Sequence, residues 1–378
     1  MKKVIRILFF LSLIVITGIG SYFIVNKVYR HHQNQKAFSS APALVSAKDG
    51  TSISATRYNL EYFKKQLSKK YPKLYQAVYT TPKTSYRGAD VVIPGVKKTI
   101  SYDYEKNKDT SSFYMTPQGV TIAGNYILIT AYDAKHTHAS VIYVLNKKGK
   151  YLKRIIVAGK PHLGGITYDP IAKNIWLTGT SQGQAALMSI PLKRIEDYNY
   201  QKSHQPITYD HEITLPTIER ASAVTYDDNQ LFVGFFSKDE KGRIVAYPIS
   251  RIGYFKDTIT SDQIKAVTGQ STWASGAGSA AMDSQIQGIA IYKDWIILSQ
   301  SYGSKDSKLY FFPASAIDNL DEDRADKVVT LPPYLEQISV YKGQLLLLFE
   351  SSSREYARDD IMIVDRILSA NINALLGS

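Results

Sequence analysis

The chain has no cysteine among its 378 residues. That absence rules out disulfides, thiolate metal sites, a cysteine nucleophile and a lipid-modified N-terminal cysteine. Also missing are a Gly-x-Ser-x-Gly nucleophile elbow and a phosphate-cradling glycine loop, so two common routes to hydrolase and nucleotide chemistry lack their motifs. Gly276-Ala277-Gly278-Ser279-Ala280-Ala281 fits a dinucleotide fingerprint ending in Ala, but no βαβ unit surrounds it and it reads as a loop before a strand. Acid is scarce in the first third. Residues 1–110 carry 19 Lys and Arg against 6 Asp and Glu, which leaves 27 of each sign in 111–378 and places the whole net charge of +13 at the N-terminal end. The large C-terminal region is therefore neutral and lacks the basic footprint of a duplex-binding surface, so no nucleic-acid partner is expected. The basic third points instead to anionic lipid or an anionic cell-wall polymer.

What the N-terminus does have is one long apolar run. Ile7 to Val25 contains no charge and is bounded by Lys2, Lys3 and Arg6 before it and by Lys27 and Arg30 after it. Nineteen residues at about 1.5 Å each cross a hydrocarbon core of about 30 Å. A cleaved leader would have a shorter run with a small-x-small site close behind, whereas Val45-Ser46-Ala47 lies 22 residues further on. Residues 1–30 thus read as an uncleaved transmembrane signal-anchor. The short N-terminus is placed inside and the bulk of the chain outside, although basic residues flank both ends. The expected location is the cell membrane, single-pass, with an extracytoplasmic C-terminal domain.

Residues 31–85 read as linker and stalk. His31 to Gly50 is polar and aperiodic, while Leu60, Phe63, Leu67 and Tyr71 recur at helical spacing, with Lys64, Lys65, Lys69 and Lys70 on the flanks and Pro72 at the end. Such a helix either lies along headgroups or wall polymer through its lysines, or packs its stripe on the following domain with the lysines in water.

The remainder, 86–378, repeats itself. Five units share an order of small or polar opening, apolar strand, turn, second strand, polar loop and third strand. Their openings are Gln118-Gly119-Val120-Thr121, Gly164-Gly165-Ile166-Thr167, Ser222-Ala223-Val224-Thr225, Gln287-Gly288-Ile289-Ala290 and Glu336-Gln337-Ile338-Ser339, spaced by 46, 58, 65 and 49 residues. Third strands are predicted at Ser140 to Leu145, Ala185 to Ile190, Arg243 to Tyr247, Lys308 to Phe312 and Asp360 to Val364. An echo follows them at Pro191-Leu192-Lys193-Arg194-Ile195, Pro248-Ile249-Ser250-Arg251-Ile252 and Pro313-Ala314-Ser315-Ala316-Ile317, with Asp365-Arg366-Ile367 in that place in the last unit. Fourth strands are predicted at Leu152 to Val157, Glu212 to Leu215 and Lys327 to Leu331, and within 256–268 in the third unit. The last unit has no room for one. Thr99 to Tyr104, just before the first opening, is predicted to complete it and close the ring, which removes exposed sheet edges. The fold expected is all-β, a β-propeller of five four-stranded blades closed by an N-terminal strand and preceded by the transmembrane helix and the amphipathic helix. In this repeat the chain resembles the bacterial extracytoplasmic β-propellers, among them the gluconolactonase-like and YncE-like groups. The resemblance covers about 110–370 and brings no active residues with it.

In a propeller the starts of the inner strands and the loops from second to third strands meet on one face, around the mouth of the central channel. Gln118, His162, Arg220, Gln287 and Glu336 come from the inner-strand starts. Asp133, His136, His138, Ser181, Ser237, Tyr302, Glu350 and Arg354 come from the loops. A polar mouth of this kind is the default ligand site of the fold; the plainer alternative is that these groups hold water and satisfy the backbone. His136 and His138, with His162 as a third ligand, have the residue types zinc needs. Glu336 with carbonyl oxygens suits calcium; beyond that ion no cofactor is expected. A glycosidase needs converging carboxylates, and Asp133, Glu336 and Glu350 are the available ones. The 28 tyrosines suit carbohydrate or peptide surfaces, or reflect strand propensity. The function expected is that of a membrane-anchored binding or scaffolding module of the bacterial cell envelope, with lipid, wall polymer or an envelope protein as partner. The alternative is an envelope hydrolase or lyase acting at the mouth.

Overall fold

A computed structural model describes residues 17, 19–29, 42–81, 90–181, 183–215, 220–236, 241–249, 280–282, 284–317 and 319–377. Five sheets succeed one another along the chain and form a five-bladed propeller. Blade 1 comprises Met115–Ala123, Tyr126–Asp133, Val141–Asn146 and Tyr151–Ile156. Blade 2 comprises Ile166–Asp169, Asn174–Ser181, Gln184–Pro191 and His211–Thr214. Blade 3 has Ala221–Asp227, Gln230–Phe235, Gly242–Pro248 and Ala280–Met282, and is extended by Asn319–Leu320 in parallel pairing. Blade 4 has Ile286–Tyr292, Trp295–Gln300, Ser307–Pro313 and Lys327–Leu331. The expected fourth strand of the third unit, within 256–268, lies outside the described residues.

Blades stack face to face, so their strands are covered on both sides. Every residue of Met115–Ala123 and of Gln344–Phe349 is buried, which is why Leu345 to Phe349 reads as an unbroken apolar run rather than an alternating one. Hairpins between first and second strands use residues that accept positive φ: Asp228 and Asn229 at 37° and 62°, Lys342 and Gly343 at 49° and 76°.

Ring closure corrects two expectations. Blade 5 consists of Leu335–Tyr341, Gln344–Phe349, Arg366–Asn371 and the N-terminal strand Val91–Val92, paired as Val91 to Ile367 and Val92 to Arg366. Closure by the N-terminus holds, but the closing strand is not Thr99 to Tyr104. Residues Thr99–Asp103 pair instead with Lys108–Ser112 as a separate hairpin. The third strand of blade 5 is likewise not Asp360 to Val364. The loop leaving Phe349 runs long, and the strand starts only at Arg366, so Asp365-Arg366-Ile367 is not the post-strand echo. That place belongs to Asn371, which caps a short helix, Ile372–Leu376, through a side-chain bond from Ala374 N.

Asp365 and Arg366 grip the chain N-terminal to the propeller. Asp365 Oδ2 accepts from Thr56 N at 2.7 Å and Arg57 N at 3.1 Å, Arg366 Nη2 donates to Tyr58 O at 2.8 Å, and the two side chains pair with each other. The helix Leu60–Lys70, capped by Asn59, follows directly. Its buried Phe63 and Leu67, with Leu74 and Val78 beyond, join Leu335, Leu345 and Phe349 of blade 5 and Phe311 of blade 4 in one apolar cluster. At about 1.5–3 kcal/mol for each such side chain, this docking is a substantial part of the fold. The apolar stripe is occupied by the propeller, while Lys65, Lys69 and Lys70 face solvent. Residues 19–29 are helical. Most of the expected anchor, Ile7 to Val25, lies outside the described residues, among which no helix is long and apolar enough to cross a membrane.

Candidate functional site

In four blades the inner strand starts with a break in register: between Pro117 and Gly119, Ala221 and Ala223, Ile286 and Gly288, and Leu335 and Ile338. A bulge takes a residue out of the ladder and re-aims its side chain. The residues so released are Gln118, Ser222, Gln287 and the pair Glu336 and Gln337, all at the mouth. One position along, the five units carry Gly119, Gly165, Ala223, Gly288 and Gln337. Four small residues bring the strands so close that a Cβ on Gly165 would stand 2.7 Å from Val224 N, and one on Gly119 2.6 Å from Gln337 Oε1.

Gln337 fills the axis. Its Oε1 accepts from Val120 N at 3.1 Å and Ile166 N at 2.9 Å, and its Nε2 donates to Ile166 O at 2.7 Å and Val224 O at 3.2 Å. Both lone pairs and both N–H groups of the amide are thereby used, and three other blades are tied through one side chain.

Beside this plug, Glu336 hydrogen-bonds Glu350, and Glu350 Oε2 accepts from Gln118 Nε2 at 2.9 Å. Both glutamates are buried. Burial raises the proton affinity of both. For Glu336 the negative charge of Glu350 and their hydrogen bond raise it further, while Glu350 is partly relieved by the bonds from Glu336 and Gln118. Two buried carboxylates in contact cannot both ionise, so the pair keeps at least one proton. Tyr132 and Tyr356 stand next to the pair and hydrogen-bond each other; burial raises both phenols, Tyr356 to about 12. The Tyr132 ring lies 4.0 Å from that of His162, and Tyr356 lies 5.2 Å from Tyr334. His162 is crowded by protein yet keeps an open edge to solvent. Desolvation, and then His136 and Arg220, lower it to about 4, so the ring is neutral. The chain reaches this mouth through left-handed residues that are not glycine: Leu163, Gln285 and Tyr334, at φ of 55°, 65° and 64°. Such backbone is sparsely populated and is found where surrounding structure holds it for a purpose.

The sequence-derived site divides in two. Gln118, His162, Glu336 and Glu350 come together at the mouth, with His136 against Tyr132 at 5.6 Å and Arg220 near His162. Gln287 occupies the blade 4 bulge. Arg354 lies over the ring of Tyr114 at 5.0 Å, which Lys135 also faces at 4.8 Å, and Tyr302 is 46% exposed, so both stand at the rim. Ser237 lies outside the described residues.

Asp133 and His138 belong to a different cluster, where the hairpin Thr99–Asp103 and Lys108–Ser112 meets blade 1. Asp133 Oδ2 accepts from His138 N at 3.0 Å, Thr137 N at 3.1 Å and Thr137 Oγ1 at 2.9 Å, and lies 3.0 Å from His138 Nδ1. His138 Nε2 bonds Thr110 Oγ1 at 2.8 Å and faces Asp103 at 3.7 Å. Burial pushes Asp133 up, but the bonds from His138 and Thr137 outweigh it and hold it below the carboxylate range. The bond from Lys106 does the same for Asp103. The two imidazoles do not share a side as an extended segment would place them. His136 is left-handed at φ 53° and its N–H closes a turn on Asp133 O at 2.7 Å, so His136 turns to the mouth and His138 to the hairpin. Among the described residues no three His, Cys, Asp or Glu gather as a metal site. Calcium at Glu336 would have to displace the shared proton of the pair.

No protein-family model matches the chain, and no curated protein matches it either. Among solved structures it is similar to a glutaminyl cyclase of Myxococcus xanthus, at 8% identity over 68% of this chain and 90% of that one, with a TM-score of 0.39. It is also similar to the PQQ-bound form of an aldose sugar dehydrogenase from Streptomyces coelicolor, at 12% identity over 62% of this chain and 74% of that one, with a TM-score of 0.37. Likeness at this distance brings no chemistry to this chain.

Gln337, Tyr132 and Tyr356 are site residues that sequence reasoning did not single out. For Gln337 a signal was present: aligned openings place one long polar side chain in a column of Gly119, Gly165, Ala223 and Gly288. Tyr132 and Tyr356 carry no such mark, since strand-end and loop tyrosines are common throughout this sequence.

Proposed function

We propose that the chain is a binding module of the bacterial cell envelope, held outside the membrane by its N-terminal anchor, that takes its ligand at the propeller mouth. The supporting observation is the arrangement of the carboxyl groups. Glycoside hydrolysis needs two carboxyl groups about 5–10 Å apart, with the scissile bond between them. Glu336 and Glu350 touch, Gln337 closes the axis beside them, and Asp133 is engaged elsewhere. Half-buried Tyr356 and exposed, neutral His162, backed by the buried ring of Tyr132, supply aromatic faces with polar tips, a surface suited to a polar organic ligand. A hydrolase or lyase retains one support, a carboxyl pair that keeps a proton near neutral pH, as general acids require.

The test uses the full chain in its native membrane, with a photo-crosslinking residue at position 302 on the mouth rim or at position 171, exposed in a turn at the opposite face. A discrete adduct from 302 and none from 171 is expected. Turnover of envelope glycans or peptides by the purified full chain, abolished by both Glu336→Gln and Glu350→Gln, would overturn the binding reading in favour of the enzyme. The anchor is tested separately, by resistance to alkaline extraction and by protease access from outside the cell.

A further inference from the structure

A second concave site lies away from the mouth, on the outer edge of blade 1. It has a volume of about 630 Å³, and its floor is the outer strand segment Lys150 to Arg154. One wall is Ala47 to Asp49, and the other is Glu196 to Gln201, beyond the third strand of blade 2. Its parts are fixed by hydrogen bonds. Arg154 Nη1 donates to Asp49 O at 2.6 Å and pairs with Asp49 Oδ2 at 3.1 Å, and Tyr151 OH donates to the same carboxylate at 2.7 Å. Lys153 Nζ donates to Glu196 O and Tyr198 O at 2.7 Å each.

The donors left over decide the ligand. An ammonium has three N–H groups, so Lys153 is held in place by two and has one to give. Arg154 lines the cleft but is 93% buried and held by Asp49, so it lends the site positive charge from behind rather than a free donor. Lys48 and Lys150 stand exposed at the rim, and Lys148 lies in the adjoining turn. Of the acids, Asp49 is taken by Arg154 and Tyr151, and Asp197 by Lys193 at 2.7 Å, which leaves Glu196 alone against this set. Tyr151, Tyr198 and Tyr200 line the same cleft.

We infer that this cleft binds a phosphate group carried on a small polyol, with Lys48, Lys150 and Lys153 around the phosphate and the tyrosines beside the polyol. Lysines placed as point charges suit phosphate, and tyrosine faces suit hydroxylated carbon chains. The group comes either from a soluble phosphopolyol or from a lipid headgroup. The proposal is independent of what binds at the mouth.

The experiment titrates the full chain in detergent with glycerol 3-phosphate, and in parallel measures its binding to vesicles of phosphatidylglycerol or phosphatidylcholine. Saturable binding of glycerol 3-phosphate, weakened at least tenfold by the exposed double variant Lys48→Gln/Lys150→Gln and by Lys153→Gln, is the expected result for a soluble ligand. Binding to phosphatidylglycerol vesicles alone, with the same losses, assigns the lipid source. Lys65→Gln/Lys69→Gln, on the N-terminal helix, serves as the charge-matched control. No binding to either probe, or equal weakening by the control and the cleft variants, overturns the proposal.

Discussion

Removing the Gln337 amide tests the axial plug most directly. Gln337→Ala deletes four buried hydrogen bonds at once. A neutral bond of this kind is worth about 1 kcal/mol net, and a buried group left unpaired costs about 1–3 kcal/mol. Water entering the vacated space restores some pairing, so the loss should be about 3–5 kcal/mol, against a typical total of roughly 5–15 kcal/mol. With about 2.1 cal/mol/K of unfolding entropy per residue over roughly 280 residues, 4 kcal/mol lowers Tm by about 7 °C. Gln337→Glu separates bonding from shape. As a carboxylate it keeps both acceptor bonds but meets Ile166 O and Val224 O with no proton to give, so its pKa should rise. The variant should be weak at pH 8 and recover as the pH falls and the group protonates. Calorimetry or denaturant titration of the full chain across pH 5–8 reads both effects. If Gln337→Ala melted within about 1 °C of the parent, or Gln337→Glu showed no recovery in acid, the four bonds would not be holding the ring together.

Because Glu336 and Glu350 both have raised pKa values, the fold holds its proton more tightly than the unfolded chain, and their contribution is complete below about pH 4.3 and lost as pH climbs through the neutral range. Glu350→Gln should flatten that loss, and an unchanged pH profile of Tm would exclude the shared proton. Asp133→Asn should cost about 1–3 kcal/mol, because the amide can keep its oxygen on the donors of Thr137 and His138 but those bonds lose the carboxylate charge, and its nitrogen turns to the Ser112 hydroxyl; the depressed pKa values of Asp133 and Asp103 mean that their contribution exists above about pH 3.9 and fades as pH falls, which acid titration of parent and variant compares. A chain starting at residue 86 keeps the closing strand Val91–Val92 but loses Phe63, Leu67, Leu74 and Val78, so it should melt well below a chain starting at residue 42 and bind an apolar dye; equal melting would remove the N-terminal helix from the fold's cohesion.

Blade number, inner strands and the identity of most mouth residues were legible because each blade repeats the same packing problem and the sequence repeats its answer. Legibility failed where one blade departs from the rest. Blade 5 has a long loop between Phe349 and Arg366, and a short apolar run inside it, Ile361-Met362-Ile363-Val364, is buried without being a strand. Apolar content marks burial, not hydrogen bonding, so the run passed for the third strand. The closing strand is only two residues long in the described structure, too short to carry a period, whereas Thr99 to Tyr104 alternates plainly because it is one arm of a hairpin. Pairing across the chain, such as Glu336 with Glu350 or Asp365 with Thr56, leaves no local pattern at all.

That long loop of blade 5 is also where fold and site meet. Its first residue, Glu350, is half of the carboxyl pair, and its last, Asp365, receives the backbone of Thr56 and Arg57. Between them, Tyr356 lies beside Tyr132, and Ser351 Oγ accepts from Val364 N at 3.0 Å, which draws the two ends of the loop together. Glu350 N donates to Tyr334 O at 3.0 Å at the near end, and the far end is held both by the strand that starts at Arg366 and by the segment that enters from the N-terminal side. Docking of residues 56–78 thus grips the end of the loop that begins at the mouth, as well as covering blades 4 and 5. Charge supports the same division of labour: the basic excess sits in the region N-terminal to the first blade, while the neutral ring keeps at its centre a carboxyl pair that carries at most one charge.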